Sequence, residues 1–219
     1  MSASGGESAV LRFADGETVA DLATYAGRAL TLDEEGAVRL QARGDVLAAW
    51  VCVLPGQGLT RAGTVLGLRT MPLADGHDLD VAVPLRGLTD RFARRSATGD
   101  AGTELTVPPT TVSPPWTALT PPRAGWEPVG RIPVADLLAA ARAGVAEVAR
   151  GTPEGAGSAA VAALRARVWS RELTSGVPAG AGLAVLSLGF ARDRDDEATV
   201  HRSGPWTRVS VPAGHVLCR

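Results

Sequence analysis

Residues 107–128 read VPPTTVSPPWTALTPPRAGWEP, from Val107 to Pro128. The stretch holds seven of the chain's 15 prolines, as three Pro-Pro pairs and Pro128, and two of its five tryptophans, Trp116 and Trp126. Proline fixes φ and removes a backbone donor, so no regular helix or central strand runs through it. A free linker lacks large apolar side chains, whereas two indoles need burial. The stretch is therefore expected to be an extended strap lying across the fold, with a patterned half on each side.

The half before it alternates short apolar runs with turns. Val10–Phe13 reads as a strand, and Thr18 followed by Asp21 as a capping box opening a helix with Leu22, Ala26 and Ala29 on its apolar face. Ala37–Ala42 alternates, Arg43-Gly44-Asp45 looks like a tight connection, and Val46–Leu54 is apolar on both faces, as a buried strand is. Two more strands, Thr64–Leu73 and Leu79–Leu85, flank a turn at Asp75-Gly76-His77-Asp78, and a short helix follows around Leu88–Arg95. Short links favour an antiparallel meander.

After the strap, Pro133 opens a helix at its first position, with Val134, Leu137, Leu138, Ala141, Val145 and Val148 at helical spacing and Gly151-Thr152-Pro153 as its stop. A second helix starts near Ser158 and buries Val161, Leu164, Val168 and Trp169. A third, apolar helix follows Pro178 and ends at Gly189. The last stretch reads as strands at Ala198–Arg202, Trp206–Val211 and His215–Arg219. The expected fold is α+β: an N-terminal antiparallel β-meander with one or two helices (1–100), the Pro/Trp-rich strap (101–130), and a C-terminal three-helix plus β-hairpin region (131–219), able to pack as one compact domain.

Composition narrows the class. All 22 basic residues are Arg, with no Lys or Asn and a single Ile, as a GC-rich genome would write. Residues 1–122 carry 10 Arg against 14 acids and residues 123–219 carry 12 Arg against 9, which is too mild a basic excess for a nucleic-acid footprint. The two cysteines, Cys52 and Cys218, form no CxxC, and the opening MSASGGES has no basic or apolar signal region. A reduced, cytoplasmic protein without a membrane span fits these features. SPPW (113–116), PPRAGWEPVG (121–130), IPVADL (132–137) and RSGPWTRVS (202–210) resemble conserved hypothetical proteins of high-GC actinobacteria. That resemblance covers about the last hundred residues and implies a source and one intact chain rather than a mechanism.

Each candidate site has a plainer reading beside it. Asp75, His77, Asp78 and Asp80 could bind a metal or act as acid and base, but a solvated turn has the same composition. Asp193–Glu197 (DRDDE) breaks the alternation and lacks the glycine of a calcium loop. No G-x-S-x-G is present, and His215 with Cys218, three apart on one strand, point to opposite faces. Glycines at 155, 157, 180 and 182 follow no strand, and a chain without Lys has no Walker lysine. Three helices and a hairpin follow the order of a winged helix, with Arg202 and Arg208 on the wing, yet Ala179–Leu188 offers no side chain to read a base edge. The strap contains no P-x-x-P.

What remains is a non-catalytic cytoplasmic binding or regulatory protein acting through protein–protein contacts, either with a protein partner or as a homo-oligomer. It would need no cofactor or metal, and nucleic acid is the less expected partner. Trp116, Trp126, Arg202, Trp206 and Arg208 are the binding candidates, and core packing is the plainer reading of the tryptophans. A winged-helix-like nucleic-acid-binding regulator is the alternative, and an enzyme with its site near His77 and Asp78 a further one.

Overall fold

The computed structural model describes residues 9–152 and 157–219. The readings of residues 1–8, of Pro153 as a helix stop and of the glycine at 155 lie outside the described residues. The fold is α+β, with five α-helices and eight strands among the described residues. The chain divides into two compact units. Unit 1 takes the described residues of Met1–Val51 together with Arg69–Thr117, and unit 2 takes Cys52–Leu68 together with those of Ala118–Arg219.

In unit 1, β1 (Val10–Arg12) pairs antiparallel with β4 (Glu104–Thr106), Leu11 opposite Leu105. The helix α1 (Gly16–Leu32) begins earlier than expected: Asp15 rather than Thr18 is its cap, its carboxylate accepting from the Thr18 N–H and hydroxyl, both at 2.7 Å. Asp21, expected to complete the capping box, instead pairs with Arg69. Val19, Leu22, Tyr25, Ala26 and Ala29 form the buried stripe of α1, three and four residues apart as one helical face requires. The second helix, α2 (Leu85–Thr98), buries Leu85 and Leu88 and ends at Gly99 with φ 67°.

Two long strands stand where four shorter ones are expected. β2 (Ala37–Gln57) runs 21 residues and β3 (Ala62–Pro84) runs 23. Arg43-Gly44-Asp45 is therefore not a connection. Val38, Leu40 and Ala42 are buried before it and Leu47, Ala49 and Val51 after it, so the buried phase shifts by one residue across Gly44, whose φ is 60°. A glycine in left-handed conformation supplying one extra residue is how a bulge keeps a strand going. Asp75–Asp78 is not a turn either, because β3 passes straight through it. Its carboxylates meet basic groups on neighbouring strands. Arg43 pairs with Asp78 at 2.9 Å, Arg39 holds Asp80 bidentately at 2.7 Å on both oxygens, and Gln41 donates to Asp80 at 2.9 Å. Cross-strand charge pairs of this kind fix register.

Trp116 sits buried in a single 3₁₀ turn, Pro115–Ala118. Thr117 donates its N–H and hydroxyl to the Pro114 carbonyl, and the Thr117 carbonyl accepts from Arg39 at 2.8 Å.

Unit 2 contains β5 (Glu127–Pro133), α3 (Val134–Arg150), α4 (Ser158–Trp169), α5 (Ala179–Ser187), β6 (Glu197–Ser203), β7 (Trp206–Val211) and β8 (Gly214–Cys218). The ends of β2 and β3 join this sheet, in the order β2-β3-β8-β7-β6-β5. Val200, Val209 and Val216 stand opposite one another across three strands, and all are buried. β5 is an edge strand, the place where Pro128 and Pro133 cost no ladder bond in a sheet centre, and its register slips between Pro128 and Gly130. Pro133 closes β5, and α3 starts one residue later.

Helix α5 is buried from Ala179 to Val185. A Cβ on Gly182 would fall against the carbonyl of Leu137, so the glycine lets the α3 and α5 backbones touch. The winged-helix order does not give a winged helix: α5, which would read DNA, is buried from Ala179 to Val185, and β6–β8 are inner strands of a six-stranded sheet.

Candidate functional site

The candidate site of unit 2 is a groove of about 440 Å³ between α4 and the adjoining ends of β2 and β3. Ala162, Ala166 and Trp169 contribute from α4; spacings of four and three residues put them on one helical stripe. Leu54 and Pro55 contribute from β2. Alanine at 162 and 166 leaves room that larger side chains would fill, and this is why the groove is open. Trp169 is held firmly, because Gly144 on α3 leaves space for its indole ring.

The hairpin end is shaped by Gly56, with φ 64°, where a Cβ would strike Arg61 and Thr64. Between the strands, Leu59 is fully exposed, an apolar side chain in a turn that normally carries polar ones. Arg165 and Arg167 line the groove and form no ion pair among the described residues, whereas Arg171 is engaged bidentately by Glu147 at 2.5 and 2.6 Å.

The sequence-level candidates are placed differently. Trp116 and Trp206 are buried, 7% and 3% exposed. Trp126 is half-buried, donates its Nε1–H to the Pro122 carbonyl at 2.9 Å, and carries the Arg208 guanidinium over its ring at 4.6 Å. Burial holds the Arg208 pKa below its ordinary value. Arg202 is exposed on β6, opposite Thr207. The structure thus brings Trp126 and Arg208 together. Trp206 instead has Arg219 over its ring at 5.8 Å.

His77 is half-buried on β3 and does not line this groove, and Asp78 is engaged by Arg43. His215 lies 2.8 Å from the Ser210 hydroxyl; burial and then the nearby Arg208 charge hold its pKa low. Burial pushes the Cys218 thiol up to about 12, so it is protonated near neutrality and is no nucleophile there. Among the described residues no group of three His, Cys, Asp or Glu is placed to hold a metal ion, and no helix is long and apolar enough to cross a membrane.

Residues 7–118 match the domain of unknown function DUF8010, and residues 121–219 match a second domain of unknown function, DUF8185. No curated protein matches the chain. Among solved structures, a candidate DNA polymerase III beta subunit from Eubacterium rectale is similar with a TM-score of 0.55 at 7% identity, over 96% of this chain and 64% of that one. The DNA polymerase III subunit beta of Borrelia burgdorferi, solved with a natural product, is similar at 0.50 and 8% identity, over 95% and 64%. The chain thus spans just under two thirds of the structures it matches, and at such identities the likeness is one of fold.

Proposed function

This chain belongs to the DUF8010 family, and we propose that it is a non-catalytic cytoplasmic binding or regulatory protein working through protein–protein contacts, with the unit 2 groove as its docking surface. The groove itself carries the reading. It has an apolar floor of Leu54, Ala166 and Trp169, two arginines along it that form no ion pair among the described residues, and Leu59 exposed at the neighbouring hairpin end. Charge complementarity then selects the occupant: a partner segment with apolar side chains flanked by Asp or Glu. The fold likeness supports the class, since both relatives are described as subunits and a subunit works inside a protein assembly. Fold alone carries no further function.

The test is fluorescence anisotropy with short labelled peptides, apolar with acidic flanks, beside the same peptides with basic flanks. Acidic peptides should bind at least roughly tenfold tighter than basic ones, a gap of about 1.4 kcal/mol. Ala166→Arg, which fills the groove from an exposed helix, should abolish the binding without changing the circular dichroism. Equal binding of both peptide sets, or binding that survives Ala166→Arg, would sink the proposal. A concentration-dependent dimer abolished by the same substitution would make a second copy of the chain the occupant.

A further inference from the structure

Unit 1 holds a second cleft, of about 450 Å³, between the C-terminal half of α2 and the turn leading into β4. Arg91, Arg94 and Arg95 line it from α2, their spacing of three and four residues placing them on one stripe. Asp100, Gly102 and Glu104 line it from the turn.

Both acids are already engaged. Asp100 pairs with Arg95 at 3.0 Å and accepts the Gly102 N–H at 2.8 Å, and Glu104 pairs with Arg12 at 2.9 Å. Arg95 also donates to the Gly102 and Glu104 carbonyls, which fixes it and ties the turn to the helix. The guanidinium groups of Arg91 and Arg94 remain, with no ion pair among the described residues, and the Nε of Arg91 is buried without any acceptor. Cations near a helix C-terminus are favoured, which accounts for Arg94 and Arg95 standing there. It gives the Arg91 Nε no acceptor. A buried donor without a partner costs free energy, so such groups are rare unless something else satisfies them.

We infer that this cleft is an oxyanion site that takes the phosphate group of a small phosphomonoester, held by Arg91 and Arg94 beside the fixed Arg95. Guanidinium forks match phosphate oxygens, and the volume is that of a small-ligand site. A polyanion fits less well: residues 1–122 carry 14 acids against 10 Arg, and Asp100 and Glu104 stand among the lining residues. The site is independent of the unit 2 groove.

The test is calorimetric titration of the full chain at low salt with glycerol 2-phosphate and with inorganic phosphate. Saturable binding to one site is expected. It should weaken about tenfold in Arg91→Gln and again in Arg94→Gln, the loss typical of one charge-assisted hydrogen bond, and stay unchanged in Arg142→Gln, an exposed arginine of α3. Tighter binding of glycerol 2-phosphate marks an organic phosphate as the ligand; equal binding marks the free ion in the same site. Arg94 is exposed, so its variant reports even where Arg91→Gln disturbs folding. The inference fails if neither phosphate gives saturable heat, or if Arg142→Gln loses binding equally. It also fails if duplex DNA binds through Arg91 and Arg94 while the phosphates do not.

Discussion

At the scale of single residues, the glycines of the helices separate packing from propensity. Gly182 sits where α5 meets α3, and a Cβ there would fall against the Leu137 backbone carbonyl, which cannot swing aside as a side chain would. Gly27 sits in α1 with nothing within 4 Å of a would-be Cβ. The same substitution should therefore have opposite signs. Gly182→Ala forces two backbones apart and should cost about 1–3 kcal/mol. Gly27→Ala removes only the entropy that glycine brings to the unfolded chain and should stabilise by ~0.5–1 kcal/mol. Urea midpoints of the two variants check this, and a loss at Gly27→Ala as large as at Gly182→Ala would refute the packing argument. Reading α5 as a buried helix was within reach of the sequence, because AGAGLAVLS offers no polar face. Its glycine contact with α3 was not, since close approach depends on which helix lies opposite.

At the scale of elements, the β2–β3 ladder shows how far local pattern carries. Alternating valines, leucines and alanines mark the strands, as they do for β6, β7 and β8. Gly44 with polar neighbours signals a left-handed residue but does not distinguish a turn, which reverses the chain, from a bulge, which continues it. Only the partner strand decides. Likewise, Asp75–Asp80 looks like solvated turn chemistry until Arg39, Gln41 and Arg43 stand opposite. The groove was the least legible part. The expected apolar face of α4, Val161, Leu164, Val168 and Trp169, is buried only at Val168 and Trp169, and the alanines beside it do not mark the groove; the one available hint was Leu59, an apolar residue beside Gly58 in a turn.

The ladder has a pH consequence. The hydrogen bonds from Arg39 come first, and those from Gln41 add to them, in lowering the Asp80 pKa below its ordinary value. A carboxyl whose folded pKa is depressed contributes stability above its unfolded value of about 3.9. That contribution is lost as pH falls through the lower folded value. Asp80 is 43% exposed, so screening limits the effect to ~0.5 kcal/mol. Asp80→Asn should be less stable than the parent by that amount near pH 6 and equal to it near pH ~2. A difference that persists in acid would mean that the asparagine disturbs the strand rather than the charge pair.

At the scale of the whole molecule, charge bears on the nucleic-acid alternative, and an experiment tests it. This chain has 22 Arg against 23 acids, a formal charge of −1. Sequence-independent DNA affinity comes from neutralised phosphates and falls steeply with salt. Many arginines here are already paired within the protein: Arg39, Arg43, Arg69, Arg86, Arg95, Arg131 and Arg171 each hold a carboxylate. With 23 acids against 22 Arg, the chain has no net positive charge with which to release counterions from a duplex. We therefore expect no retention of a labelled duplex at ~0.15 M salt and, where binding is seen at ~0.02 M, a shallow salt slope of two or three phosphate contacts at most, roughly −2 to −3. Anisotropy titrations across that salt range give the slope directly. A slope steeper than about −5 with micromolar binding at physiological salt would show a continuous phosphate-contacting surface. It would also replace the protein-docking reading with a nucleic-acid one.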